Sequence, residues 1–347
     1  MTSPQRVLVT GGFGFIGGYV TRGLVEAGRD VVVQARNPSA TPEIEYLLRD
    51  HTDGFTTAVG SVEDLPQLLE IFGRFHPGVV VHSASNVEVA ALFKDPYRAF
   101  QTNVTGAVNV LEASRHTGVE RVVLMSSIGV LPPIQYQPID AAHPILLPRS
   151  GPGSGAYGVA KASAELFGFA YQRAHGLDIR IIRPSAVYGF GMRWHSANYM
   201  KEFVEPAVRG EPVRVASGGR LPRDYTHVVD VAGLTLKVVD CPEEADRIFY
   251  AATGGPLVNA AQAAELVAEL IPGSSIEISD VMTPDDEVEA SFRGVISIEN
   301  ARAQLGWTPR YASLREGVGE YISTYRAYLA AGHSAGLPHS AGLPLDK

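Results

Sequence analysis

Cysteine is almost absent from this chain of 347 residues, since Cys241 is the only one. A single cysteine excludes an intramolecular disulfide and any metal site built from several thiolates. Long hydrophobic runs are also missing, because no apolar stretch approaches the roughly 18–20 residues that a membrane-spanning helix needs. Positive charge is not in excess either: 29 Lys and Arg face 37 Asp and Glu, and the formal net charge is −8. A surface built to hold nucleic acid is therefore not predicted.

The beginning of the chain carries no targeting signal. The polar lead Met1–Gln5 runs directly into the first apolar run, without the charged region and hydrophobic stretch of a signal peptide. Secreted domains of modest size often depend on disulfides, which this chain cannot form. We therefore expect a cytoplasmic protein that acts on a small-molecule substrate, with no nucleic-acid or membrane partner.

Short β-branched runs alternate with segments long enough to hold a helix. These segments carry apolar residues at helical spacing, as Tyr19, Leu24 and Val25 do after the first run. Strands joined by crossover helices are typical of a parallel sheet covered on both faces. The sequence therefore predicts an α/β fold with a doubly wound parallel (Rossmann) sheet. The predicted strands are Val7–Thr10, Val31–Val33, Val79–His82, Val122–Ser126 and Ile179–Arg183.

The alternation loosens from about Pro184 onward, where Pro and Gly clusters precede helix-like stretches at 260–271 and 314–329. We interpret this half as a smaller, discontinuous substrate-binding portion. The predicted dinucleotide-binding domain covers 1–183 and about 222–255, and the substrate-binding portion covers 184–221 and 256–330. Residues 333–344 repeat His-Ser-Ala-Gly-Leu-Pro, and a small, Pro-containing duplication at a terminus predicts a disordered tail over 331–347.

A glycine-rich segment follows the first strand. Thr10-Gly11-Gly12-Phe13-Gly14-Phe15-Ile16-Gly17 leads into a predicted helix. Glycines at 11, 14 and 17 let the backbone turn tightly and approach a pyrophosphate, with the helix N-terminus directed at the negative charge. The strand before and the helix after this loop support a dinucleotide-binding function.

The GxxGxxG spacing, with Thr before the first glycine, resembles the extended short-chain dehydrogenase/reductase family of the NAD-dependent epimerase/dehydratase type. Further segments resemble motifs of this family in the same order, and together they cover nearly the whole chain. These segments are Val79–Ser85, Asn103–Glu112, Arg183–Gly189, Arg223–Ala232 and Leu305–Pro309. The resemblance implies a homodimer formed through two helices that flank the active site.

The resemblance also implies a set of cofactor-binding positions along the chain. These positions are Gly11, Gly14, Phe15, Ile16, Gly17, Arg36, Ser61, Val62, Ser83, Ala84, Ser85, Asn103, Tyr157, Lys161, Pro184 and Val187. Folds that take NAD usually place an acid at the end of the second strand, whereas a nearby Arg suits the 2′-phosphate of NADP. Ala35 stands where the acid normally falls, and Arg36 follows it. NADP(H) is therefore favoured and NAD(H) remains possible.

Tyr157 and Lys161 lie four residues apart on a predicted helix, so both project from one face. Their place in Ala156–Ala162 resembles the family's Y-x-x-x-K. A tyrosine near pKa 10 is a poor base until a cation stabilises its phenolate, and we expect Lys161 to supply that charge. Counting back three from Val130, as in the family segment S-S-x-x-V, selects Ser127 as the hydroxyl that binds the substrate oxygen, with Ser126 as the alternative.

The residues after Ser127 argue against one reaction of the family. Sugar 4,6-dehydratases carry a Thr-Asp-Glu type sequence at this point, whereas Ile128 and Gly129 offer neither an acid nor a base. Elimination of water is therefore not expected. Since the ten histidines are scattered without a ligand spacing, no metal site is predicted either.

The substrate end departs from the pattern of nucleotide-sugar enzymes. Arg223 stands in a segment that resembles R-D-[FY]-x-H-V, whose arginine holds the diphosphate in those members. Ala186 replaces their usual Asn, and 283–287 (Thr-Pro-Asp-Asp-Glu) replaces Arg-Pro-Gly-Asp with carboxylates that would repel a diphosphate. Arg193 is a further candidate for substrate binding. Trp194 and His195 follow it in a loop and are either specificity residues or ordinary surface residues.

Three hypotheses compete for the function. The first is an NAD(P)-dependent dehydrogenase or reductase that interconverts a secondary alcohol and a ketone, on a sugar-like or other small polyhydroxy or carbonyl substrate. The second is a nucleotide-sugar 4-epimerase that keeps NAD bound. The third is a silent dinucleotide-binding sensor, which the intact Tyr157 and Lys161 disfavour.

Overall fold

The computed structural model describes residues 5–145, 155–193 and 198–334. Trp194 and His195, and the predicted tail beyond Ser334, lie outside the described residues. The strands are, in chain order, β1 (Val7–Thr10), β2 (Val31–Ala35), β3 (Phe55–Val59), β4 (Val79–His82), β5 (Arg121–Met125), β6 (Asp178–Pro184), β7 (Ala186–Tyr188), β8 (Val213–Val215), β9 (Pro222–Arg223), β10 (Tyr225–His227), β11 (Ile248–Ala251), β12 (Val258–Asn259) and β13 (Ile276–Ile278).

The helices connect and cover these strands. A π-helical turn over Phe100–Thr105 joins the fifth and sixth helices, and short 3₁₀ turns occur at Thr52–Gly54 and Ile128–Val130. The helices are α1 (Phe15–Glu26), α2 (Pro42–Leu48), α3 (Leu65–Phe75), α4 (Val89–Lys94), α5 (Pro96–Ala99), α6 (Gly106–Thr117), α7 (Gly155–His175), α8 (Met200–Val208), α9 (Val228–Val239), α10 (Ala260–Leu270), α11 (Pro284–Ala290), α12 (Glu299–Leu305) and α13 (Leu314–Ala330).

A seven-stranded parallel sheet lies at the centre, in the order β11-β6-β5-β4-β1-β2-β3. Strands β1, β2 and β4 each contain three consecutive apolar residues, as expected for strands covered by helices on both faces. Since successive side chains point to opposite faces, Val7 and Val9 pack in one core and Leu8 packs in the other. Helices α1 and α9 contribute to the first core, and α3 and α6 contribute to the second. The predicted doubly wound sheet is confirmed.

The sequence analysis predicts five of the seven strands of this sheet and misses β3 and β11. Strand β3 is an edge strand whose residues Thr56 and Thr57 are exposed, so it lacks the apolar signal of the central strands. Strand β11 occupies the other edge, and along the chain it is separated from its neighbour β6 by β7 to β10 and by α8 and α9.

A separate hydrophobic core builds the smaller portion, which joins β7, β8, β10, α8, α10 and α13. It is rich in buried aromatic side chains, among them Tyr188, Phe190 and Phe203. One predicted boundary needs correction: Ile296, Ile298 and the stretch to Trp307, assigned to the substrate-binding portion, pack in the first core beneath the sheet. We propose that the other predicted domain boundaries are correct.

The strand order indicates where a ligand-binding site should lie. After β1 the chain builds β2 and β3 on one side, and it then crosses to build β4, β5 and β6 on the other. In open parallel sheets, ligands bind at this reversal, outside the carboxyl ends of the strands. The loops after β1, β4 and β5 therefore meet at one crevice.

Candidate active site

The glycine loop after β1 has a shape that only glycine permits. Gly11 has a φ of +67°, and a Cβ there would lie 2.7 Å from the backbone of Ala84. A Cβ on Gly17 would lie 2.1 Å from the carbonyl oxygen of Gly11. Gly14 precedes α1 without a side-chain cap, and the first turn of the helix holds no acidic residue. This cradle fits the pyrophosphate of a dinucleotide, with Phe15 and Ile16 beginning the helix.

Polar contacts hold the loop after β4 against this cradle. Thr10 Oγ1 lies 2.8 Å from His82 Nδ1, and the amide of Ala84 donates to the same hydroxyl at 3.4 Å. Burial, assisted by the charge of Lys161, lowers the pKa of His82 to about 3, so its imidazole is neutral. Asn103 Oδ1 accepts from the amide of Asn86 at 2.7 Å, and its Nδ2 donates to the Asn86 carbonyl. The predicted cofactor residue Asn103 thus holds the loop that contains Ser83, Ala84 and Ser85.

The end of β2 lies beside the predicted adenine side of the crevice. The buried Gln34 side chain donates to the Gly60 carbonyl, directly before the candidates Ser61 and Val62. Ala35 is buried and ends the strand, whereas Arg36 is exposed. Arg36 makes no hydrogen bond or ion pair with another described residue.

The last two cofactor candidates lie on the other side of the crevice. Pro184 is buried at the end of β6, and Val187 is half-buried in β7 and packs against the first core.

Ser127 and Tyr157 meet at the carboxyl end of β5. Ser127 is the second residue after β5, and its Oγ accepts from the amide of Gly129 at 3.0 Å. Burial raises the pKa of Tyr157 above its usual value, and a side-chain hydrogen bond with Ser127 opposes this rise. The two residues can therefore act on one substrate oxygen.

Lys161 lies one helical turn after Tyr157 on α7 and is 6% exposed. Its Nζ donates to the Met125 carbonyl at 2.7 Å and lies 5.9 Å from the centre of the Tyr157 ring. Burial lowers the pKa of Lys161 to about 8, with Glu165 acting in the opposite direction. That Lys161 lowers the pKa of Tyr157 stays a prediction, because burial dominates at Tyr157 and the ammonium is directed at Met125.

The alternative Ser126 belongs to a different network. Its hydroxyl donates to Glu165 Oε1, which also accepts from Arg183 Nε at 2.9 Å. Arg183 completes a two-pronged pair through Nη2 to Glu165 Oε2 at 2.7 Å and donates to Tyr250 Oη at 2.9 Å. All four side chains are buried. The geometry therefore favours Ser127 as the substrate-facing hydroxyl, and sequence reasoning missed Glu165 although it follows Lys161 by four residues.

Arg223 lies in a cluster that the sequence did not predict. It is 3% exposed, and its Nη1 lies 3.2 Å from Glu289 Oε1. Arg293 Nη2 donates to the same oxygen at 2.6 Å. The other substrate candidate, Arg193, is exposed and pairs with Glu88 at 2.7 Å. The two candidates thus occupy different surroundings.

The acidic segment 283–287 forms the start of a helix, whereas the sequence analysis expected its carboxylates to repel a diphosphate. Thr283 and Asp286 form a reciprocal capping box at the start of α11. Asp285 and Glu287 are exposed. The carboxylate that meets Arg223 is Glu289, two residues beyond the segment that was expected to repel a diphosphate.

Comparison with known proteins now identifies the family. The sequence profile of the NAD dependent epimerase/dehydratase family matches residues 7–252. The chain belongs to this family. The resemblance to extended short-chain dehydrogenases/reductases is thereby confirmed, and the three loops described above are this family member's candidate active site.

Relatives of this family member match it over most of its length. The UDP-glucuronic acid decarboxylase 3 of Arabidopsis thaliana is 30% identical over 90% of the chain and 87% of its own length. The UDP-glucose 4-epimerase of Thermotoga maritima, solved with UDP-glucose, is 27% identical with a TM-score of 0.79, covering 93% of this chain and 99% of that one. The UDP-glucose 4-epimerase of Thermus thermophilus, solved with NAD, is also 27% identical with a TM-score of 0.79, covering 92% and 99%. Among the described residues, no helix is both long and apolar enough to cross a membrane.

Proposed function

We propose that this family member is an NAD(P)-dependent oxidoreductase that interconverts a secondary alcohol and a ketone on a small polyhydroxy or carbonyl substrate. The observation that carries this proposal is the hydrogen-bonded pair of Ser127 and Tyr157 at the crevice, with the buried Lys161 one turn away. When bound, the nicotinamide supplies the hydride acceptor or donor.

Side chains of the protein bind the substrate oxygen and transfer the proton. Ser127 binds that oxygen and orients it toward Tyr157, whose Oη accepts the proton of an alcohol or returns it to a carbonyl oxygen. The ammonium of Lys161, held by Met125, supplies positive charge beneath this pair. Burial of the site strengthens each of these interactions, because the local dielectric is low.

Cofactor choice belongs to the same proposal. The exposed Arg36 has no partner among the described residues, and Ala35 brings no carboxylate, so a 2′-phosphate would meet a cation there without repulsion. This favours NADP(H). NAD(H) is the alternative, supported by the Thermus thermophilus relative that was solved with NAD.

The deciding experiment is to denature the purified protein, identify any released nucleotide, and titrate the emptied protein with NADH and NADPH by nicotinamide fluorescence. We expect tighter binding of NADPH, with the preference lost in Arg36→Ala. A panel of carbonyl compounds is then screened for oxidation of NADPH, and Tyr157→Phe serves as the inactive control. Tightly retained NAD(H) would refute the assignment to Arg36.

A nucleotide-sugar 4-epimerase is the second candidate. It is supported by the relatives that are named UDP-glucose 4-epimerases at 27% identity, and by Arg223 in its motif. Such an enzyme would keep its cofactor bound and interconvert UDP-glucose and UDP-galactose without added nucleotide. Net consumption of NADPH with a carbonyl substrate excludes it.

We also propose a homodimer. Helix α4, α5 and the π-helical turn pack along α7, the helix that carries Tyr157. Large apolar side chains of this group nevertheless remain exposed, which is typical of an interface. They are Phe93, Tyr97, Phe100, Val159, Leu166 and Phe167.

A further inference from the structure

Glu165 carries a buried carboxylate one helical turn after Lys161. The two residues are four apart on α7, so their side chains lie on the same face of the helix. The Glu165 side chain is only 1% exposed. A carboxylate is costly to bury unless opposite charges and hydrogen bonds compensate it. The partners of Glu165 therefore indicate what its charge does in the interior.

Both oxygens of the Glu165 carboxylate are held by side chains of the central sheet. Oε1 accepts from Arg183 Nε at 2.9 Å and from the hydroxyl of Ser126. Oε2 accepts from Arg183 Nη2 at 2.7 Å, and Arg183 Nη1 donates to Tyr250 Oη at 2.9 Å. Arg183 lies on β6, Tyr250 lies on β11 and Ser126 follows β5. Because these groups belong to the sheet, they fix the carboxylate and the helix that carries it.

The guanidinium in this network is charged. Burial disfavours the charge, but the hydrogen bonds and the charge of Glu165 raise the pKa of Arg183 above its usual value. The same carboxylate acts on Lys161: burial lowers the pKa of Lys161 to about 8, and the charge of Glu165 opposes this fall. Glu165 therefore interacts favourably with a cation on the sheet and with a cation on its own helix.

The other titratable groups near Lys161 bring no negative charge. Tyr157, on the same helix, keeps its proton because burial raises its pKa. His82, at the end of β4, is neutral because burial and the charge of Lys161 lower its pKa to about 3. Arg183, on β6, is itself a cation. Among the described residues, Glu165 is thus the group that favours the ammonium form of Lys161.

We propose that Glu165 is a positioning residue, whose carboxylate, fixed by Arg183, stabilises the ammonium of Lys161 beneath the candidate active site. This inference rests on the proposed function, in which that ammonium supplies positive charge beneath Ser127 and Tyr157. It adds a residue that lies outside the Tyr157–Lys161 motif and acts only through Lys161. A lysine buried without a nearby anion loses its proton readily.

The test follows the protonation of Lys161 itself in the cofactor-free protein. Lysine labelled with ¹³C at Cε gives few NMR signals, because the chain has only five lysines. The signal that is missing in Lys161→Met belongs to Lys161. We expect a pKa of about 8 in the wild type. In Glu165→Gln, which keeps the shape and removes the charge, the value should be at least about one pH unit lower.

Two control variants separate the charge of Glu165 from its part in the fold. Arg183→Met breaks the same ion pair but keeps the carboxylate, so it should not lower the pKa of Lys161. Ser126→Ala removes one hydrogen bond of the network and keeps both charges, so it should change that pKa by less than about 0.3. If Glu165 served only to hold α7 against the sheet, Glu165→Gln and Arg183→Met would have similar effects on Lys161.

A further variant covers a loss of folding. A buried Arg183 without its carboxylate is strongly destabilising, whereas removal of both charges of a buried pair is often tolerated. The double variant Glu165→Gln with Arg183→Met should therefore fold, with the pKa of Lys161 still below that of the wild type. A wild-type pKa of Lys161 in Glu165→Gln or in the double variant overturns the proposal, and so does an equal fall in Arg183→Met. Because these titrations need no turnover, a failure to find NADPH-dependent activity counts against the proposed function alone.

Discussion

The adjacent residues Ser126 and Ser127 have the same side chain but different surroundings. Ser126 is the first residue after β5, it is buried, and its hydroxyl donates to Glu165. Ser127 lies one residue further, where its Oγ faces the crevice and Tyr157. Because successive side chains of an extended chain point in opposite directions, one of these two serines faces the core and the other faces the candidate active site.

This division predicts opposite effects for two alanine variants. Ser127→Ala should lower kcat by about 10²–10³-fold, because it removes a donor to the reacting oxygen, and should leave stability nearly unchanged. Ser126→Ala should keep kcat within a few-fold but destabilise the fold by about 1–3 kcal/mol, since a buried charged acceptor loses its hydrogen bond. Turnover in the NADPH assay and urea denaturation of both variants check this. Equal loss of activity in both would contradict our assignment.

Because Lys161 is buried, we expect the free energy of unfolding to depend on pH. Its pKa of about 8 in the folded protein is below the ordinary value of about 10.4 in the unfolded chain. Between these values the unfolded state binds more protons, so the free energy of unfolding rises with pH across this window. Below pH 8 the full cost of burying the charge is present, and it amounts to about 3 kcal/mol.

The comparison with Lys161→Met isolates this effect, because methionine has similar bulk and no charge. The stability of the wild type minus that of the variant should increase from pH 8 to about pH 10 and be constant from pH 6 to 7.5. Urea denaturation at each pH gives both values. A difference that does not change with pH would show that Lys161 keeps an ordinary pKa.

At the scale of elements, the glycine loop and helix α1, which follows it, can be predicted from the sequence. Gly11 is required by its positive φ, and Gly17 is required by a steric contact with the Gly11 carbonyl oxygen inside the loop, so a short motif suffices to predict both. The helical spacing of Tyr157 and Lys161 is likewise local. Strand β3 is different, because its place at the sheet edge leaves Thr56 and Thr57 exposed and weakens its pattern.

The contact of Glu289 with Arg223 could not be predicted from the sequence for a related reason. Acidic residues crowd the segment from Asp285 to Glu289, and all of them repel an anion in principle. Which of them meets Arg223 depends on where α11 begins, and the capping box of Thr283 and Asp286 determines that start. The partner Arg293 follows Glu289 by four residues but lies beyond the end of α11.

Two glycine substitutions with opposite outcomes test the local argument. Gly17→Ala places a Cβ within 2.1 Å of the Gly11 carbonyl oxygen, so the cradle must distort, and we expect dinucleotide affinity to fall by at least about a hundredfold. Gly319→Ala, in the middle of α13, meets no atom within 4 Å. It should stabilise the protein by about 0.5–1 kcal/mol. Nicotinamide fluorescence titration and thermal unfolding report the two effects, and normal cofactor affinity in Gly17→Ala would contradict the proposed cradle.

At the scale of the whole molecule, three large hydrophobic cores build the described part of the fold, two of them on the faces of the central sheet. The first supports the sheet and its glycine loop, and the aromatic-rich core of the smaller portion supports α8, α10 and α13. The cluster around the substrate candidate Arg223 is completed by Glu289 and Arg293, which come late in the chain. The candidate cofactor residues and candidate substrate residues therefore come from distant parts of the sequence, so their relative positions depend on the topology.

The exposed apolar surface along α7 leads to the last prediction. Phe93 is 77% exposed and Leu166 is 64% exposed, which is a high cost for a monomer in water. The same helix directs Tyr157 and Lys161 toward the crevice, so a partner pressed on its outer side would also hold the catalytic residues in place. We expect a homodimer in which two copies of this surface face each other, since a two-fold interface uses the same patch twice.

Leu166→Glu should convert this dimer to a monomer, raising its dissociation constant at least about a hundredfold, because a charge at the centre of an apolar interface loses hydration without gaining a partner. Val281→Glu is the matched control: Val281 is 62% exposed but belongs to none of the helices along α7. It should stay dimeric. Sedimentation equilibrium at several concentrations distinguishes the two states. A wild type that is monomeric at tens of micromolar, or a Val281→Glu variant that dissociates equally, would rule out this interface, and a monomeric Leu166→Glu with reduced turnover would show that the partner supports α7.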